Sequence, residues 1–106
     1  AHPKPIVTLS EVADHIEHIR KVAGIDHVGI GSDFDGIPAT PKGLEAVDRY
    51  PALLEEMMRR GWSDADVAKL AGLNVLRVME QAEQVAARLQ AARPPSEALL
   101  KVEPRP

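Results

Sequence analysis

The sequence predicts an α/β fold, mostly helical in this chain with one clear strand at about residues 27–31, and reading as the last part of a larger domain. Three observations predict it. The stretch "HVGIGSDFDG", His27 to Gly36, opens with a β-branched apolar run bounded by glycines and too short for a helix. Every other long segment has helical apolar spacing. A strand apolar on both faces belongs inside a covered sheet, usually a parallel one, and the chain offers no second strand beyond a weak "PIVTL". A lone buried strand would leave backbone groups unpaired at about 1–3 kcal/mol each. Its partners must come from other sequence or from a second copy of the chain. The first is the expectation, with an N-terminal portion absent here.

The elements follow in order. Residues 1–7 are a Pro-punctuated lead-in. Thr8 and Glu11 then form a capping box, with Val7 and Val12 at staple spacing. Leu9, Val12, Ala13, Ile16, Ile19 and Ala23 make one stripe of an amphipathic helix that Gly24 stops. After the strand, "DFDGIPATPKG" is loop. "LEAVDRYPALLEEMMRRG" is helical in two pieces, with Pro51 in a first turn, Arg59 and Arg60 suited to a C-terminus, and Gly61 as the stop. Ser63 caps a short helix, with Asp66 at the box position and Trp62 and Val67 as a staple. From about Leu73 a long helix carries Leu76, Met79, Ala82, Val85, Ala86 and Leu89 until Pro94 and Pro95 end it. Residues 1–93 thus form the structured segment and 94–106 a Pro-rich tail.

Composition narrows the classes. At 106 residues this is one domain at most, and 44% hydrophobic with 27% charged residues argues against disorder throughout. A net charge of -3 without a Lys/Arg cluster argues against a nucleic-acid partner. Without cysteines there are no disulfides or thiolate metal sites. No apolar run approaches the roughly 20 residues of a membrane span. The chain opens Ala-His-Pro rather than Met, so the lack of a signal peptide says little.

Asp33 stands where parallel α/β folds place their ligands, beyond the carboxyl end of a strand. Asp35, two residues on, would face the same way if the chain stayed extended. The plainer reading is that both carboxylates cap the loop by accepting backbone N–H groups. A calcium loop of the EF-hand kind fails, because Gly36 comes too early and Pro38 follows. "DFDG" also suits a haloacid-dehalogenase-like phosphatase using Asp33 and Asp35, but the later strands such a fold requires are missing.

"DHIEHI", "GIGSDFDG", "YPALLEEMMRRGWS" and "NVLRVME", in that order and spacing, closely resemble the C-terminal part of the membrane (renal-type) dipeptidase family. The resemblance runs from about Pro3 to Gln84. It implies a (β/α)8 TIM-type barrel of the amidohydrolase-like class, with "HVGIG" as the eighth strand and the helices around it as last crossover and closing helices. It implies metal-dependent hydrolysis of dipeptides with two zinc ions, and a homodimer. Asp33 matches the family's active-site aspartate, which passes a proton from the attacking water to the leaving amine; Asp35 is at most a substrate-binding or supporting residue. None of the family's metal ligands maps onto this segment, so the segment alone is expected to be inactive. The lack of cysteines and of a lipid-anchor tail points to a bacterial, cytoplasmic enzyme. The competing class is a self-contained helical interaction module pairing its strand across a homodimer.

The remaining residues read as structural. His15 and His18 have i, i+3 metal spacing, but His18 points away from the apolar stripe, His15 lies on its flank, and no third ligand is convincing. His27 precedes the strand and His2 sits in the lead-in. Tyr50 and Trp62 pack beside helix starts. Ser32 lacks a base and a nucleophile elbow. Gly29, Gly31 and Gly36 serve close approach and turning, not phosphate binding.

Overall fold

In a computed structural model of the chain, residues 5–105 are described; His2 lies outside them. The first helix, α1 (Leu9–Ala23), starts where the cap motif puts it: Thr8 Oγ1 accepts the Glu11 N–H at 3.3 Å. It ends at Gly24, whose φ of 94° is the left-handed region that glycine enters without strain. Ala13 and Ile16 on its inner stripe are buried.

The expected strand at 27–31 is corrected. His27 belongs to a 3₁₀ turn, Ile25–His27, and residues 28–31 run on without joining a ladder. Val28 is extended (φ -124°, ψ 138°) and 4% exposed, so the conformation and the burial are those of a strand. A strand also needs a neighbour to exchange N–H···O=C bonds, and none lies beside it among the described residues. The single bridge among them joins Thr8 to Lys42, with Leu9 N–H on the Lys42 carbonyl at 2.8 Å and Lys42 N–H on the Val7 carbonyl at 2.7 Å. It ties the lead-in to the loop. Two grooves flank the extended segment. One, about 400 Å³, lies toward α1 between Val12, Ile16 and Ile19 and Gly29–Gly31. The other, about 360 Å³, lies toward the last helix, between Val28 and Gly29 and Val75, Val78 and Met79.

After the loop, a 3₁₀ turn (Val47–Arg49) leads into α2 (Tyr50–Arg59), with Pro51 in its first turn. This is the two-piece helix the sequence suggests. α2 packs on α1, burying Leu53 and Met57. Gly61, at φ 96°, turns the chain, and Trp62 N–H reaches the Met57 carbonyl at 3.1 Å. Ser63 Oγ caps α3 (Asp64–Ala68) by accepting the Asp66 N–H at 3.2 Å. Arg20 of α1 crosses to this corner, pairing with Asp66 at 2.7 Å and lying 4.5 Å over the Trp62 ring. One wide π turn (Lys69–Leu73) then passes into α4 (Asn74–Ala92). Residues 94–105 carry no regular element.

Ala13, Ile16, Val28, Leu44, Leu53, Met57, Trp62, Val67 and Leu70 form one core. α4 contributes almost nothing to it. Its predicted stripe is present, yet Leu76 and Met79 are more than half exposed and every residue from Glu80 onward is exposed. The radius of gyration, 19.6 Å, exceeds the roughly 13 Å of a compact domain near this length because α4 and the tail stand away from the core.

Candidate functional site

The extended segment delivers Asp33 into a tight turn, but the chain does not stay extended. Asp33 (φ 53°) and Asp35 (φ 70°) both take left-handed backbone, which Asp tolerates better than most residues. The backbone of this pair is therefore not that of a strand, in which alternate residues share a face. The turn closes through the Gly36 N–H on the Asp33 carbonyl at 2.9 Å, and Ser32 Oγ accepts the Phe34 N–H at 3.2 Å. A serine hydroxyl and a backbone carbonyl thus do the capping. Among the described residues neither aspartate's carboxylate accepts a hydrogen bond, and both residues are exposed. Gly36 lies close under the Asp33 side chain: a Cβ there would push the Asp33 carboxylate aside. Phe34, between the acids, stacks obliquely on Tyr50 at 5.7 Å, anchoring the turn to the start of α2.

The histidines do not join it. His15, His18 and His27 are exposed, and among the described residues no three His, Asp or Glu side chains come together to hold a metal ion.

Sequence reasoning missed a polar clamp at the other end of the extended segment. Asn74, the first residue of α4, is buried at 5% exposure. Its Nδ2 donates to the carbonyls of Ile25 (2.7 Å) and Val28 (2.9 Å), and its Oδ1 accepts from Arg77 at 3.1 Å. Arg77 also donates to the Asp26 carbonyl at 2.6 Å. Lys69, 2.9 Å from the Asp26 carboxylate, holds that group below its ordinary value of 3.8, by its hydrogen bond first and its charge second. The available signal was an asparagine inside an apolar helical start, with an arginine one turn on.

Arg60 was a second miss. Read as a helix-end charge, it instead reaches back to α1, donating to Asp14 (2.7 Å), Glu17 (3.2 Å) and both oxygens of Ser10, and also to Glu56 (3.1 Å) of its own helix. Asp14 foremost, then Glu56, raises its pKa further above an already basic value.

An extended segment between apolar grooves, ending in an exposed carboxylate, gives the geometry with which known proteins can be compared. The chain is similar to a solved dipeptidase AC, a metallopeptidase of family M19: TM-score 0.66 and 33% identity over 74% of this chain and 23% of that one. The likeness points to peptidase family M19. Residues 2–93 match the model of the membrane dipeptidase family, peptidase family M19, and the chain belongs to that family. Two curated relatives are dipeptidases by name. Dipeptidase verJ of Clonostachys rogersoniana is 47% identical over 83 residues, 78% of this chain and 21% of that protein. Dipeptidase ataJ of Aspergillus terreus is 54% identical over 84 residues, 79% of this chain and 20% of that protein. The chain spans about a fifth of the length of the relatives it matches. Among the described residues no helix is long and apolar enough to cross a membrane.

Proposed function

We propose that this chain works as the final portion of a barrel-type, zinc-dependent dipeptidase, with Asp33 as the acid/base at the end of the eighth strand and the chain inactive by itself. The observation that carries the reading is the turn itself. The family-matched stretch presents the Asp33 carboxylate to solvent while Ser32 and a backbone carbonyl cap the loop in its place. Two largely apolar grooves flank residues 28–31, and the segment's backbone N–H groups have no partner among the described residues; both features support neighbouring strands, at a spacing of about 4.8 Å, in the whole enzyme. In such an enzyme Asp33 takes a proton from the water attacking the dipeptide carbonyl, then gives it to the departing amine as the C–N bond breaks. Among the described residues no zinc site is formed, so the ions would be held by other parts of the enzyme. The proposed assembly is a homodimer, with a dipeptide as substrate.

The test is a hybrid in which residues 2–93 replace the matching fifth of the Aspergillus terreus dipeptidase, assayed with zinc on Gly-Leu beside the 106-residue chain alone. Expected are hydrolysis by the hybrid, none by the chain, and a loss of about 100-fold or more in kcat for Asp33→Asn. A folded, zinc-loaded hybrid without activity overturns the dipeptidase reading; full activity in Asp33→Asn overturns the role of Asp33.

A further inference from the structure

We infer that Asn74 and Arg77 are positioning residues for Asp33, acting through the backbone at the opposite end of the extended segment. The inference rests on the reading of Asp33 given above. Between residues 28 and 32 no backbone N–H donates to another residue among those described, so no ladder fixes the segment along its own axis. The polar ties at its start are the clamp: Asn74 on the carbonyls of Ile25 and Val28, and Arg77 on that of Asp26. Asn74 spends both amide protons on these bonds and uses its oxygen to hold Arg77, so the pair acts as a unit.

Helix α4 carries both clamp residues. The wide turn Lys69–Leu73 places Asn74 inward, in line with buried Leu70 one turn earlier. One residue further, Val75 lies against Gly29, 3.6 Å from where a Cβ there would be. From Val28 to Asp33 the chain covers about 16 Å at roughly 3.3 Å per residue, so sliding its start carries the carboxylate along. Misplacing a catalytic group by about 1 Å costs on the order of 100-fold in rate. Neighbouring strands in the assembled enzyme would resist tilting, while the clamp sets the starting point.

Asn74→Asp keeps the shape but turns two donors into acceptors facing two carbonyls. Arg77→Met keeps the stem and removes both donors. In the 106-residue chain, exchange of the hydrogen-bonded amides that bracket the segment, His27, Phe34 and Gly36, should accelerate at least tenfold in either variant, while the middles of α1 and α2 hold their protection. In the hybrid, kcat per folded molecule should fall 10- to 100-fold with KM within about twofold, a split that uniform destabilisation does not produce once folded protein is counted. Unchanged exchange at His27, Phe34 and Gly36 overturns the clamp. Unchanged kcat in a folded Asn74→Asp hybrid overturns positioning, even where Asp33→Asn is inactive. A fully active Asp33→Asn hybrid removes the reading of Asp33 and this inference with it.

Discussion

Arg59 and Arg60 are adjacent, carry the same charge and end the same helix, yet the structure predicts very different consequences for removing them. The Arg60 side chain is 19% exposed and makes five hydrogen bonds, four of them to three α1 residues more than forty positions away in sequence. Asp14 and Glu17 are themselves well exposed, so each pair is worth about 0.5 kcal/mol, as is the helix pair with Glu56. The charge-assisted bonds to the Ser10 carbonyl and hydroxyl add about 1 kcal/mol. Arg60→Met, which preserves the apolar stem, should therefore cost about 2–3 kcal/mol and lower Tm by roughly 10 °C. Arg59 is 66% exposed and pairs only with Glu55 and Glu56, so Arg59→Met should cost no more than about 0.5 kcal/mol. Urea unfolding followed by far-ultraviolet circular dichroism, with equal m-values, measures both. Two variants that agree within about 0.3 kcal/mol would refute the reasoning: the Arg60 contacts would be a solvated fringe, and the apolar core alone would hold α1 to α2.

Two further outcomes follow from the turn and the clamp. Gly36→Ala forces the Asp33 carboxylate out of its place while leaving the core untouched. The hybrid dipeptidase carrying it should keep its Tm within about 2 °C and lose at least about tenfold in kcat, by a thermal melt and a Gly-Leu assay. Lys69→Met releases the Asp26 carboxyl toward its ordinary 3.8, which a carbon-detected NMR titration reads directly. Because that carboxyl is lowered in the folded chain, its contribution is full above about pH 4 and disappears as the pH falls through the lowered value. The stability gap between the wild type and Lys69→Met should therefore close on acidification, not on raising the pH.

What could be read from the sequence was what neighbours along the chain decide. Thr8 and Ser63 cap their helices, and Gly24 and Gly61 end theirs, because each motif closes within three or four residues. The Asp33 loop was legible for the same reason, although its left-handed backbone was not, and that backbone undid the expected shared facing of Asp35. The strand failed as an assignment because a ladder belongs to two segments, and one segment's pattern supplies only half of it. The stripe along α4 was read correctly as apolar, but a pattern states what should be covered without showing what covers it. Asn74 reaching Ile25 and Arg60 reaching Ser10 span about half the chain, so no local spacing could reveal either contact.

Between Val28 and Gly31 the backbone N–H groups have no partner among the described residues, and a largely apolar groove lies on either side of the segment. In this form the polypeptide is a template with two open sides, and any other extended backbone of apolar character is a candidate to seal one of them. Copies of the same chain are the most abundant such backbone in any concentrated preparation. Self-association through these edges would grow open-ended rather than close on itself, since each added molecule seals one side and offers its other. The glycines at 29 and 31 and the charges of Asp33 and Asp35 just beyond weaken that tendency without removing it. The stretch that aims the carboxylate is thus also the stretch where solubility is most at risk.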